Sequence, residues 1–196
     1  MRSGSDDENV LQAVEKLKDR LETVDLGDAK FLLGMGIHRN VHAGTIILPQ
    51  ETYDRTIQET YGMADARPTK TPAEAGPMHI EEDEILSTEN TTLFKCATGS
   101  LLYLSRCTRP DITHAVMVLT RSMSKPGPRA MINLKRVLRY LKGRTSIGLT
   151  YSEDAENGDE LTEYVDLDHA GDMDKGYSTT RVVVCCLLYT SPSPRD

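Results

Sequence analysis

The chain has 196 residues, of which 38% are hydrophobic and 27% charged, and its formal net charge is −7. These values exclude a disordered or fibrous protein and are typical of one ordinary domain or two small ones. Taken alone, the acidic balance argues against a nucleic-acid-binding protein, because phosphate groups attract basic surfaces.

Membrane and disulfide classes are also not expected. The longest apolar run, from Val182 to Tyr189, has eight residues, whereas a membrane-spanning helix needs about 20. The four cysteines contain no C-x-x-C pair, so the sequence predicts neither a zinc site nor a disulfide framework. The N-terminus becomes acidic at once and has no apolar signal core. We therefore expect an intracellular protein in a reducing compartment, with no membrane partner.

The N-terminal third is predicted to form a helix, a β-hairpin and a second helix. Apolar residues recur every three or four positions from Val10 to Val24, which is the period of an amphipathic helix. Two apolar runs, Phe31–Ile37 and Thr45–Leu48, flank a loop rich in turn-forming residues and predict a hairpin. From Gln50 to Tyr61, large apolar residues spaced by four predict the second helix.

A Pro-rich, acidic linker at 62–91 is predicted to precede three helices. The first helix covers about Thr92–Ser105, and its apolar side carries Leu93, Ala97, Leu101 and Leu104. The second begins at Thr108, where Thr108 and Asp111 fit a capping box, and its buried stripe is Ile112, Ala115, Val116 and Leu119. The third begins near Pro128 and ends at Gly143, with Met131, Leu134, Leu138 and Leu141 facing inward.

The C-terminal part is predicted to be rich in strands. Ile147–Tyr151 and Leu161–Asp166 are two predicted strands separated by an acidic turn, and Arg181–Leu188 is a third. The chain should therefore have an α+β fold, with helices mostly in the middle and antiparallel hairpins near both ends.

Charge is strongly segregated along the chain. No Asp or Glu occurs between Ile112 and Ser152, and this segment holds eight of the 23 Lys and Arg residues, whereas the remainder holds fifteen against 30 acidic residues. On the third helix of this region, Lys135, Arg139 and Lys142 share a face away from the leucines. The candidate nucleic-acid-binding residues are Arg121, Lys125, Lys135, Arg136, Arg139, Lys142 and Arg144. Two interpretations stay open: a helix that contacts a phosphate backbone, or a solvated basic face paired with acidic parts of the same chain.

Seven short phrases occur in an order and at a spacing that identify a family. They are Leu26–Gly34, Leu48–Gln50 with Tyr53, Gly62-Met63, Gly99–Leu104, Thr108–Ile112, Leu134–Gly143 and Tyr164–Asp172. Together they resemble the Pol polyprotein of copia-type LTR retrotransposons over roughly residues 10–183. The resemblance implies the C-terminal part of a reverse transcriptase that runs into the start of RNase H.

The resemblance also implies a domain organisation. Residues 1–61 would be the end of the reverse transcriptase palm, with the primer-grip hairpin and the start of the thumb. After the linker at 62–91, residues 92–145 would form thumb and connection helices. Residues 146–184 would be a truncated start of RNase H, with an α+β fold of RNase H type that is incomplete. We expect residues 185–196 to be a tail that does not resemble the family.

Functional roles follow from the same resemblance. Leu33, Gly34 and Met35, in the predicted hairpin, would be the primer grip, which positions the 3′ end of the primer. Asp166 would be the first catalytic and metal-binding carboxylate of RNase H, which uses two Mg²⁺ ions in the complete parent enzyme. Because two ions need carboxylates from several elements, Asp166 alone should not bind Mg²⁺ productively. The expected partners are an RNA–DNA hybrid or duplex and the remainder of the Pol polyprotein.

Other candidate sites have less support. Asp166, Asp168 and Gly171 match part of a calcium-binding loop, but Ala170 and Tyr177 break its pattern. His38 and His42 are four residues apart but lie in a predicted turn, so zinc binding is not expected there. Arg109 could either stabilise the start of a helix or contact a duplex.

Three functions remain open at this stage. The chain could be a piece of a reverse transcriptase–RNase H polyprotein that has no catalytic activity alone. It could be a module that grips duplex phosphate without chemistry, or a non-functional relic of a degenerate element.

Overall fold

The computed structural model describes residues 7–24, 27–74, 84–152, 162–168, 179–186 and 189–192. The elements are α1 (Asp7–Lys18), β1 (Phe31–Leu32), β2 (Met35–Gly36), β3 (His38–Asn40), β4 (Thr45–Pro49), α2 (Glu51–Thr60), α3 (Thr88–Cys107), a 3-10 turn (Pro110–Ile112), α4 (Thr113–Arg121), α5 (Pro128–Lys142), β5 (Gly148–Ser152), β6 (Thr162–Asp168), β7 (Thr179–Cys186) and β8 (Tyr189–Pro192). Helices in the middle and antiparallel sheets around them confirm the α+β class. Its RNase H-like character stays a prediction.

Helices α2 to α5 enclose the hydrophobic core. Each contributes apolar side chains at helical spacing, and the turn before α4 adds one more. Fully buried members are Phe94, Leu101, Leu104, Ile112, Val116, Leu119, Leu134, Val137, Leu138 and Leu141. The predicted apolar stripes of α4 and α5 are confirmed, and Ala97, Leu101 and Leu104 of the predicted α3 stripe are buried as well. Only Leu93 of that stripe is exposed, and the neighbouring Phe94 is buried in the core instead.

Helix α3 begins inside the segment that was predicted to be linker. Ser87 caps it, because its hydroxyl oxygen accepts a hydrogen bond from the backbone N–H of Asn90 at 3.3 Å. Leu86 is anchored at the same place, since its N–H donates to the carbonyl of Pro126 at 2.9 Å. The linker therefore ends a few residues before position 91.

The predicted capping box at Thr108 is wrong. The Thr108 hydroxyl donates instead to Oε1 of Gln50, 2.7 Å away at the start of α2. Asp111 binds the side chain of Arg109 rather than capping the helix. The chain makes a 3-10 turn first, and α4 begins only at Thr113.

The N-terminal hairpin differs from its prediction. Phe31–Ile37 is not one strand, because Leu33 and Gly34 have φ values of +50° and +78° and form a tight turn between β1 and β2. The longer hairpin joins β3 to β4, so His38 to Asn40 lie in a strand rather than in the loop.

Strand β5 joins the N-terminal sheet. It pairs antiparallel with β4, from Gly148 opposite Pro49 to Ser152 opposite Thr45, giving the order β3-β4-β5. A separate sheet has the order β6-β7-β8, and its strands β6 and β7 confirm the two strands predicted near Asp166 and Val182. Strand β8 lies within residues 185–196, the expected tail.

Helix α1 is shorter than its predicted range, since it ends at Lys18. The side chains of Leu11 and Leu17 in α1, and of Leu21 after its end, are exposed. Among the described residues, no helix is both long enough and apolar enough to cross a membrane.

Candidate nucleic-acid interface

Helix α5 places most of the predicted basic residues. Pro128 occupies its first turn and Gly143 its C-terminal cap, as the sequence predicts. Its buried face carries Leu134, Leu138 and Leu141. The basic side chains must therefore lie on the opposite face or on its flanks, because side chains three and four residues apart share one side of a helix.

The seven candidate residues are not equally accessible. Arg121, Lys125, Lys135 and Arg144 are exposed, whereas Arg136, Arg139 and Lys142 are partly buried. Lys142 lines a cavity of about 300 Å³ together with Arg55, Gln58, Glu59, Ala64 and Thr145. Of the three residues predicted to share a face of this helix, Lys135 is therefore the most exposed, whereas Arg139 and Lys142 are partly covered.

The residues that cover α5 come from the predicted linker. We call residues 67–74 the strap, since they lie along the outer side of the helix. Nε of Arg139 donates to the carbonyl of Arg67 at 2.7 Å, and the N–H of Thr69 donates to the carbonyl of Arg139 at 3.3 Å. Arg139 therefore fixes one end of the strap.

The other end of the strap is held by Arg136. Its Nη1 donates to Oε1 of Glu74 at 2.7 Å, and its Nη2 donates to the hydroxyl of Thr71 at 3.0 Å. For Arg136, this pair supports the interpretation that acidic parts of the same chain neutralise the basic face.

A cluster of charged residues, Arg109, Asp111 and Asp54, lies beneath α5. The sequence pointed to a candidate functional role only for Arg109. The Arg109 side chain is 2% exposed. It donates two hydrogen bonds to Asp111, at 2.9 and 2.8 Å, and one to the carbonyl of Arg144 at 2.9 Å. Asp54 lies 3.8 Å from Nη1 of Arg109. These contacts decide between the two interpretations of Arg109: it stabilises the fold and is inaccessible to a duplex.

The two carboxylates of this cluster have opposite electrostatic properties. Burial would raise the pKa of Asp111, but the hydrogen bonds from Arg109 and Tyr140 outweigh burial and hold that pKa below its ordinary value. Burial raises the pKa of Asp54 above its ordinary value, despite the hydrogen bond from Gln58 and the charge of Arg109. Asp111 is therefore the main counter-ion of Arg109.

Gln50, Asp54 and Gln58 are buried polar residues on or beside α2 that the sequence did not reveal. Nε2 of Gln58 donates to the carbonyl of Leu138 at 2.8 Å, which ties α2 to α5. Their spacing of four residues is a possible signal of a shared face, but polar residues at such spacing normally indicate a solvated side.

The predicted primer-grip residues lie at the turn between β1 and β2. Leu33 is 73% exposed, and its carbonyl accepts a hydrogen bond from the hydroxyl of Tyr103 at 2.8 Å. The Tyr103 ring also contacts the ring of Tyr53 edge to face, with centroids 5.3 Å apart. This arrangement attaches the tip, including Gly34 and Met35, to α3 and leaves the Leu33 side chain facing solvent.

Asp166 lies in β6, where it is opposite Arg181 of β7. Asp168 ends the same strand, whereas Gly171, Asp172 and Tyr177 of the calcium-loop comparison lie outside the described residues. Within the described part of the chain, no three His, Cys, Asp or Glu residues come together as metal ligands. We therefore derive no metal-dependent step for these residues.

Comparison with known proteins identifies relatives over most of the chain. The retrovirus-related Pol polyprotein from transposon TNT 1-94 of Nicotiana tabacum is 36% identical over 177 residues, covering 85% of this chain and 13% of the polyprotein. The corresponding polyprotein from transposon RE1 of Arabidopsis thaliana is 31% identical over 182 residues, covering 93% of this chain and 12% of the polyprotein. The chain thus spans about an eighth of the length of these two relatives.

A shorter relative matches along most of its own length. An uncharacterized mitochondrial protein of Arabidopsis thaliana is 30% identical over 181 residues, which cover 91% of this chain and 71% of that protein. No protein-family model matches the chain, and no solved structure matches it. From these relatives and the ordered phrases of its sequence, the chain belongs to the retrovirus-related Pol polyproteins of copia-type retrotransposons.

Proposed function

We propose that the chain is the part of a Pol polyprotein that runs from the end of reverse transcriptase into the start of RNase H, and that it grips an RNA–DNA hybrid. The observation that carries the proposal is the segment from Ile112 to Ser152, which contains no acidic residue in an otherwise acidic chain. The exposed cations of this segment include Lys125, Lys135 and Arg144.

The proposed contacts are to phosphate rather than to bases. Lys125 and Lys135 are exposed and make no ion pair with a described residue, so a nucleic-acid phosphate would not have to displace a carboxylate of the described part of the chain. Each such contact releases condensed counterions, which makes affinity fall steeply with salt. Contacts of this kind position a duplex without selecting its sequence.

Arg144 is held in place for such a contact. Its guanidinium lies over the ring of Tyr140, 5.2 Å from the centroid. Its backbone carbonyl accepts the hydrogen bond from Arg109. The buried cluster therefore orients the residue that follows α5, while the charged group of Arg144 stays in solvent.

The chemistry of the whole polyprotein is proposed to need residues outside this chain. In the parent, RNA-directed DNA synthesis and hybrid hydrolysis would require Mg²⁺, with Asp166 as one carboxylate of the RNase H site. The remainder of the polyprotein is then the partner that completes both sites, and Leu33, Gly34 and Met35 would support the primer. The purified chain should show no Mg²⁺-dependent primer extension or hybrid cleavage, and either activity would overturn this part of the proposal.

The salt dependence of hybrid binding tests the proposed phosphate contacts. We expect the purified chain to bind a labelled RNA–DNA hybrid in fluorescence anisotropy, with log affinity falling linearly as log salt rises. Lys135→Gln and Lys125→Gln should each weaken binding and reduce the magnitude of the slope by about 0.9. The matched control is Lys95→Gln, which removes one exposed cation from α3 outside the basic segment.

Two results would contradict the grip. One is no binding of the hybrid at low salt. The other is an equal loss of affinity for Lys95→Gln and Lys135→Gln, because it would mean that overall charge rather than this surface attracts the hybrid.

A further inference from the structure

The Arg136 guanidinium binds the carboxylate of Glu74, at the position where the proposed function places a phosphate of the hybrid. The guanidinium donates through one terminal nitrogen to Glu74 and through the other to Thr71. Two parallel donors on one planar group are the arrangement with which arginine binds phosphate oxygens. The strap therefore occupies both donors with one carboxylate and one hydroxyl oxygen.

The two members of this pair differ in how firmly they are placed. The Arg136 side chain is 27% exposed, and its Nε is buried with no hydrogen-bond partner among the described residues. The Glu74 side chain is 68% exposed. The guanidinium is thus held against the protein, whereas the carboxylate lies mainly in water.

The opposite end of the strap is attached differently. Pro68 contacts the end of α5 so closely that a Cβ added to Gly143 would lie 3.1 Å from the Cβ of Pro68. Arg139 binds the backbone carbonyl of Arg67, and Thr69 binds the helix backbone at the carbonyls of Arg136 and Arg139. These backbone contacts persist when the side chain of Glu74 moves, so release of Arg136 does not require the strap to detach.

We propose that Arg136 is a phosphate-binding site of the duplex grip and that Glu74 is its internal competitor. The inference rests on the proposed function and adds a regulatory element to the same surface. A phosphate of the hybrid would take the place of the Glu74 carboxylate, while Arg139 keeps the strap in position. The grip would then gain one cation contact only when a polyanion is present, and weaker anions would be excluded.

The test compares hybrid affinity of Glu74→Gln with that of the wild-type chain at low salt. Removing one exposed carboxylate that pairs with Arg136 should raise the affinity by about two- to fivefold, since an exposed ion pair is only weakly stabilising. Arg136→Gln added to Glu74→Gln should abolish this gain. The matched control is Glu51→Gln, because Glu51 also pairs with an exposed arginine, Arg55 at 3.5 Å, and lies outside the basic segment.

The outcomes separate the competitor from the grip itself. If the wild-type chain binds the hybrid in a salt-dependent manner but Glu74→Gln binds no better, the competition is refuted and the grip stands. If Glu74→Gln and Glu51→Gln raise affinity equally, general charge explains the gain and the competition is again refuted. If neither the wild-type chain nor Glu74→Gln binds, the proposed function fails and the competition fails with it.

Discussion

Arg109 in the buried cluster and Arg136 on α5 both bind carboxylates, and their surroundings give them different roles. Arg109, on the inner side, is 2% exposed and binds Asp111 through two nitrogens. Arg136, on the outer side, is 27% exposed and pairs with a carboxylate that is itself 68% exposed. Both pairs join an arginine to a carboxylate, so the two pairs differ in how deeply they are buried.

This difference determines what each pair can do. A buried ion pair cannot lose one member without leaving an uncompensated charge away from water, so it acts as a structural unit. An exposed pair is worth little because water screens it, and its members can exchange partners at small cost. The inner pair therefore stabilises the helices, whereas the outer pair is free to respond to a ligand.

The largest expected effect is the loss of Arg109. Arg109→Gln would leave the buried Asp54 and the partly exposed Asp111 with no cation and remove the donor to the carbonyl of Arg144. We expect the free energy of unfolding to fall by about 3–5 kcal/mol, measured by urea denaturation followed by circular dichroism. Arg106→Gln is the matched control, because Arg106 is exposed near the end of α3, three residues before Arg109. Equal stability of Arg109→Gln and Arg106→Gln would show that the inner pair is not structural.

Acid titration distinguishes the two carboxylates around Arg109. The pKa of Asp111 lies below the ordinary value of 3.8, so its stabilising contribution is present above that pH and is lost as the pH falls further. The pKa of Asp54 lies above 3.8, so its protonated form stabilises the fold, and this contribution is lost as the pH rises through the raised pKa. Asp111→Asn should cost about 1.5–3 kcal/mol at neutral pH, because it removes the charged acceptor of Arg109.

The same titration gives each variant a characteristic slope. Asp54→Asn retains only Asp111 of the two carboxylates, and Asp111→Asn retains only Asp54. When the pH is lowered below about 4, the free energy of unfolding should therefore fall more steeply for Asp54→Asn than for Asp111→Asn. At neutral pH, Asp54→Asn should change the free energy of unfolding by less than about 1 kcal/mol, since a neutral amide is cheaper to bury than a carboxylate. Parallel acid profiles for the two variants would show that these carboxylates are not distinguished by their contacts.

The periodic spacing of apolar residues was sufficient to predict the helices that face the core. The apolar residues of α4 and α5 recur at helical spacing, and a buried helical face depends mainly on that local pattern. The chain around Leu33 and Gly34 was not predicted correctly, because a continuous apolar run favours one strand and the turn depends on two adjacent residues with positive φ.

Long-range pairing could not be read from local patterns. Glu74 and Arg136 are 62 positions apart, and nothing in either segment indicates the other except opposite charge. Strand β5 pairs with β4 across all the intervening helices, because register between distant strands depends on the packing of those helices. For the same reason the sequence indicated the basic residues of the candidate interface but not which of them the strap would cover.

Tyr140→Phe makes a smaller change to the inner cluster. The hydroxyl of Tyr140 donates to Oδ2 of Asp111 at 2.8 Å, and its loss should cost about 1 kcal/mol of unfolding free energy. The ring is retained, so the contact with the Arg144 guanidinium and the packing of α5 stay intact. Urea denaturation gives the cost, and a hybrid affinity within twofold of wild type would confirm that the ring rather than the hydroxyl orients Arg144.

The smallest expected effect on stability is at the outer pair. Arg136→Gln removes an exposed ion pair but leaves the backbone contacts of the strap, so the free energy of unfolding should change by no more than about 0.5 kcal/mol. Hybrid affinity should fall, and it should fall further when Glu74 is already glutamine, because Arg136 is then fully available to phosphate. A loss of stability as large as that of Arg109→Gln would instead place Arg136 among the structural residues. The two arginines would then differ in exposure but not in role.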